Sequence, residues 1–180
     1  MTILNVTSED LENGYCIDLD DRNDVERMDV FVKEDKRGKL TLKGSGSLKT
    51  LHIAGKGLEF VIEDPLLNLR EISLYNLPLK TFPKIICQSP HLKNIFIDDV
   101  ELDEIPPAVL DLKLLKRLRF KHEKIPFPIG LIERKLIDVD LSTQSIYAEK
   151  LDKKLDKKLT DLDRYHMVKI ARFNHIFVDA

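Results

Sequence analysis

The chain has 180 residues, enough for one domain with a sizeable core, since folding at this length removes roughly 70% of the surface an extended chain exposes. Its 29 Lys and Arg against 31 Asp and Glu leave a net charge of -2, so no global field draws it toward nucleic acid or an anionic membrane. Its two cysteines, Cys16 and Cys87, form neither a CxxC pair nor a disulfide framework, and a reducing cytosol is the simplest setting for them.

In chain order, the opening MTILNVTSEDLENG has no basic stretch followed by an apolar run, so no secretory signal is expected. A protein exported by a route that needs no such segment would read the same way. No apolar run approaches the 18 residues of a spanning helix. Residues 1–24, with Tyr15, Ile17 and Leu19 in alternation, are expected to form an N-terminal cap, as a strand or hairpin over the core edge. The acidic run Asp18, Asp20, Asp21 and Asp24 lacks the turn glycine and closing glutamate of a calcium loop and reads as a solvated turn.

From residue 25 the chain repeats itself. A template with apolar residues at slots 1, 4, 6 and 11 fits Leu48, Leu51, Ile53 and Leu58, then Leu69, Ile72, Leu74 and Leu79. It fits again at Leu92, Ile95, Ile97 and Leu102, at Leu115, Leu118, Phe120 and Ile125, and at Leu136, Val139, Leu141 and Ile146. A weaker unit, Val25, Met28 and Val30, precedes them with Asp35 in its last slot. The six starts are 23, 21, 23, 23 and 21 residues apart. Slots 4 and 6 alternate with polar neighbours, the period of a strand with one buried face. Slot 11 returns to the core after a turn, and Phe82-Pro83, Ile105-Pro106, Pro126 and Pro128 follow it, where proline suits a turn or a helix start. The segment PPAVLDL, 106–112, predicts a short helix with Val109 and Leu112 inward. Gly44-Ser45-Gly46-Ser47 lacks the GK[ST] order of a phosphate loop and predicts a turn between two units. The segment 148–180 carries Leu151, Leu155, Leu159 and Leu162 on one helical face, with Lys153, Lys154, Lys157 and Lys158 opposite, and predicts an amphipathic C-terminal cap.

The phrase LKNIFIDDVELDEIP, from Leu92 to Pro106, resembles a leucine-rich repeat, and the resemblance covers roughly residues 25–147. Slot 9, where the family usually places Asn, departs from the pattern with Lys33, Lys56, Leu77, Val100, Glu123 and Gln144. The resemblance implies an α/β solenoid with a parallel concave sheet, short helical or 3-10 segments on the convex side, and a protein or peptide bound on the concave face. Three units are thereby expected: a cap over 1–24, about six repeats over 25–147, and a helical cap over 148–180.

Nothing in the chain spells an enzyme. GxSxG and HExxH are absent, and the five histidines show no pair at metal-ligand spacing, so neither catalysis nor a cofactor or metal is expected. The chemistry lies in the columns that stacked strands create on their open face. Slot 5 aligns Asp29, His52, Ser73, Phe96, Arg119 and Asp140; slot 7 aligns Phe31, Ala54, Tyr75, Asp98, Lys121 and Ser142. Tyr75 and Phe96, flanked by Arg70, Lys93, Lys116, Arg119, Lys121 and His122, with Asp98 opposite in charge, make the expected partner surface, because aromatics beside arginine are enriched at interfaces. The second expectation is nucleic acid or an anionic surface on the basic strip around Arg119 and the lysine-rich helix. The chain is expected to act as a monomer or weak homo-oligomer in the cytoplasm.

Overall fold

The computed structural model describes residues 2–100, 102–121 and 138–140. Short runs of β-branched and aliphatic residues broken by Gly, Pro, Asn and Asp favour strands and turns over long helices. The described residues accordingly form ten strands, one helical turn and two short 3-10 helices.

The strands fall into two sheets, and every pairing in both is parallel. The larger has seven strands in the order β1 (Thr2–Val6), β3 (Val25–Phe31), β5 (Thr50–Ala54), β7 (Glu71–Tyr75), β8 (Asn94–Asp98), β9 (Arg117–Lys121) and β10 (Asp138–Asp140). The smaller has three, β2 (Tyr15–Asp18), β4 (Gly38–Lys43) and β6 (Leu58–Ile62). Each passage from one large-sheet strand to the next therefore closes a coil, an arrangement compatible with a repeat solenoid.

The register matches the repeat alignment. Met28, Leu51, Ile72, Ile95, Leu118 and Val139 are successive ladder partners, one per predicted unit at its fourth slot. The described slot-4 and slot-6 side chains up to Leu118, from Met28 and Val30 onward, are buried and form one continuous apolar cluster. A one-residue slip would turn every one of them to solvent, so burial itself pins the register.

Behind the large sheet the coils differ. In the first three, the chain returns through β2, β4 and β6, whose Ile17, Leu40, Leu42, Phe60 and Ile62 face the same core. Only from the fourth coil does it return through 3-10 helices, Lys84–Gln88 and Pro107–Asp111. The expectation of helical segments behind the sheet thus holds for the later coils and gives way to a second sheet in the earlier ones. Alternation decides this: KLTL and LEFVI repeat with period two and carry no proline, whereas PKII and PPAVL begin with prolines that lack the ladder donor. In the second of these Val109 and Leu112 are buried, as their spacing predicts.

Residues 2–18, expected within an N-terminal cap, contribute one strand to each sheet. β1 joins β3 in parallel, so it extends the ladder by a coil instead of folding back as a hairpin. Between β1 and β2 the chain makes one helical turn, α1 (Ser8–Leu11), where the Thr7 N–H and hydroxyl both donate to Asp10 Oδ2 at 2.8 and 3.0 Å. The predicted C-terminal helix over 148–180 lies outside the described residues.

Turns are built to a common plan. At the position after the ends of β5, β7 and β8 stand Gly55, Asn76 and Asp99, all with positive φ (139°, 49° and 53°). These are the residue types that tolerate that region. At Gly55 an added Cβ would meet the Val32 carbonyl oxygen at 2.6 Å, so this coil accepts only glycine there. Asp99 thereby has a backbone reason to be where it is.

Candidate functional site

The open face of the large sheet is made by the residues between the buried ones. Ladder partners place Arg27, Thr50, Glu71, Asn94 and Arg117 in one column, Asp29, His52, Ser73, Phe96 and Arg119 in the next, and Phe31, Ala54, Tyr75, Asp98 and Lys121 in the third. The second and third are the columns expected from spacing. Adjacent strands lie about 4.8 Å apart, so each column is a ladder of side chains running across the coils.

Tyr75 is 51% exposed, whereas Phe96 is half-buried. They do not share a column: Ser73 stands opposite Phe96, and Asp98 opposite Tyr75, so the two rings are diagonal neighbours. Arg119 stands directly across from Phe96, and Asp98 across from Lys121. Asp98, Arg117 and Arg119 each have an interaction partner. Arg70 and Lys116 are exposed and Lys93 half-buried just before strands β7, β9 and β8. Of the expected surface, His122 lies outside the described residues.

Two features of the face were not singled out from the sequence. Phe31, at 57% exposure, is more open than Tyr75 and shares its column, with Ala54 between them. Its membership in slot 7 was visible; its weight was obscured because its unit has the weakest repeat pattern. The other feature is a polar chain across four strands. Arg27 Nε donates to both oxygens of Asp29, at 3.0 and 2.9 Å. Asp29 Oδ1 lies 3.1 Å from His52 Nδ1, Glu71 Oε1 lies 3.4 Å from His52 Nε2, and Asn94 Nδ2 donates to Glu71 Oε2 at 2.9 Å. With Nε2–H donating to Glu71, Nδ1 has two options: accept from Arg27 Nη2 at 3.3 Å, or carry a second proton and donate to Asp29.

The chemical capacity of this chain follows from its geometry. Asp29, His52 and Ser73 are consecutive in one column, which invites a comparison with a nucleophile, base and orienting acid. The imidazole nitrogen away from Asp29 is turned to Glu71, and no hydrogen bond joins it to Ser73, so no activated hydroxyl results. The two carboxylates meet opposite edges of the ring instead of converging on a point where a cation could sit. No group of three or more His, Cys, Asp or Glu among the described residues could hold a metal ion. Nor is any helix among them long and apolar enough to cross a membrane.

Two members of the acidic run, Asp18 and Asp20, are used by the fold. Asp20 accepts backbone N–H bonds from Gly46 and Ser45 at 2.9 and 3.0 Å, and Asp18 Oδ1 accepts from Asp20 N–H at 3.0 Å. The Gly-Ser-Gly turn thus holds a carboxylate of the previous coil.

Compared with known proteins, the chain matches no family model and no curated protein.

Proposed function

We propose that the chain is a leucine-rich-repeat-type solenoid serving as a non-enzymatic interaction module, with a protein or peptide partner bound on the open face of its seven-stranded sheet. One observation carries this reading: three coils present Phe31, Tyr75 and Phe96 on the open face of the sheet, two of these rings more than half exposed and Phe96 directly across from Arg119. Exposed aromatics cost solvation and gain it back only when a partner covers them. No cofactor enters the reading, and the cysteine usage suits a reducing cytoplasm.

Binding of nucleic acid to the strip around Arg119 is the second reading. The ladder weakens it, because Asp138 and Asp140 occupy the rungs beside Arg117 and Arg119, interrupting a run of positive positions.

Affinity capture from the native host, run in parallel with wild type, Tyr75→Ala and Phe96→Ala, tests the proposal. The expected outcome is a protein retained by wild type and lost with either variant, while both variants keep the wild-type melting temperature within a few degrees. Retention that is indifferent to both substitutions would sink the assignment to this face. Retention of nucleic acid that collapses between 50 and 200 mM salt would favour the second reading.

A further inference from the structure

At the start of the strands in the later coils, one position is basic each time: Arg70 before β7, Lys93 before β8 and Lys116 before β9. Their backbones form consecutive rungs, Arg70 N–H to Lys49 O, Lys93 N–H to Arg70 O and Lys116 N–H to Lys93 O, each 2.8 Å. The side chains therefore leave the sheet about 4.8 Å apart, in a row spanning about 10 Å. The same column begins differently. Lys49, one coil earlier, is joined to Glu26, so the second and third coils are neutral here. Beyond Lys49 the compensation stops. Among the described residues, none of Arg70, Lys93 and Lys116 has a carboxylate within salt-bridge distance or a side-chain hydrogen bond. Glu71, beside Arg70 in the chain, has its oxygens committed to His52 and Asn94, and the Glu26 carboxylate, which feels Arg70 only weakly, is paired with Lys49. Three like charges on adjacent rungs repel one another, and an anion supplied from outside relieves that repulsion.

We infer that the partner segment is acidic and crosses the strands over Arg70, Lys93 and Lys116; this rests on the open face being the protein-binding surface proposed above. An extended peptide presents same-side residues roughly 6.6 Å apart, so two or three alternating Asp or Glu cover the row. A phosphate chain fits less well. The row is short, it ends where Glu26 neutralises Lys49, and Asp29, Glu71 and Asp98 stand on the same face in the columns alongside.

A random dodecapeptide library displayed on phage and panned on the wild-type chain tests this. Recovered peptides are measured by fluorescence anisotropy against wild type, Phe96→Ala, and the triple variant Arg70→Ser, Lys93→Ser, Lys116→Ser, with (dT)12 as competitor. The expected result is a set enriched in Asp and Glu whose affinity falls roughly tenfold or more in the triple variant and falls again from 50 to 300 mM salt. Peptides lost with Phe96→Ala but neither acidic nor sensitive to the triple variant would overturn this inference and leave the binding face intact. Peptides indifferent to both sets of changes would remove the face and the inference together. Stronger row-dependent binding of (dT)12 than of any peptide would assign the row to nucleic acid and overturn the inference. Thermal unfolding of the triple variant at or above the wild-type midpoint confirms that the comparison is between folded proteins.

Discussion

Asp20 illustrates how one side chain ties coils together. The N–H groups of Gly46 and then Ser45 donate to its carboxylate and hold it below the ordinary carboxyl value of 3.8. Gly46, at φ 47°, can present its N–H because it has no Cβ, which here would strike the Leu19 carbonyl oxygen at 2.3 Å. A depressed folded pKa means the stabilisation is present above the unfolded value and is lost as pH falls through the folded one. Urea midpoints of wild type and Asp20→Asn should accordingly differ at pH 7 and converge toward pH 2; a gap that persists in acid would show that the charge is not what matters. The two thiols differ for the opposite reason. Burial, reinforced by Asp111, pushes Cys87 up to about 11, while Cys16 is exposed. Iodoacetamide at pH 7.5 should modify Cys16 in the native protein and leave Cys87 untouched until unfolding, as peptide mass mapping would reveal.

At the scale of the strand, the repeat template located β3, β5, β7, β8, β9 and β10, because a buried residue at every fourth and sixth slot is what a parallel ladder needs to stack. It was blind to β2, β4 and β6. The template carried a single slot for the return path, and Leu40-Leu42 and Phe60-Ile62 alternate just outside or beyond that slot. Helical returns behind the later strands were legible through their prolines. Of the open face, columns were readable from period and register alone, but the network from Arg27 to Asn94 was not, since it depends on side chains reaching across columns. Ile95 in β8 is fully buried between strands on either side, so Ile95→Ala should cost about 2–5 kcal/mol by lost burial plus the cavity. Urea unfolding would check it; a loss below about 1 kcal/mol would place Ile95 outside the core.

The molecule as a whole is a ladder whose two faces do different work. One is apolar, continuous from Val6 to Leu118, and fixes the register. The other is a graded surface: paired charges and a histidine in the early coils, exposed rings at the strand ends, and Arg70, Lys93 and Lys116 just before β7, β8 and β9, with no ion pair among the described residues. In such stacks each coil contacts only its neighbours, so substitutions on the open face leave the core nearly untouched and can alter binding independently of folding. Hydrogen exchange of the chain alone and with its captured partner tests that separation. Added protection is expected in β5, β7, β8 and β9 and at the residues just before them, with β2, β4 and β6 unchanged. Protection confined to those three strands, or to the 3-10 helices behind the sheet, would contradict it.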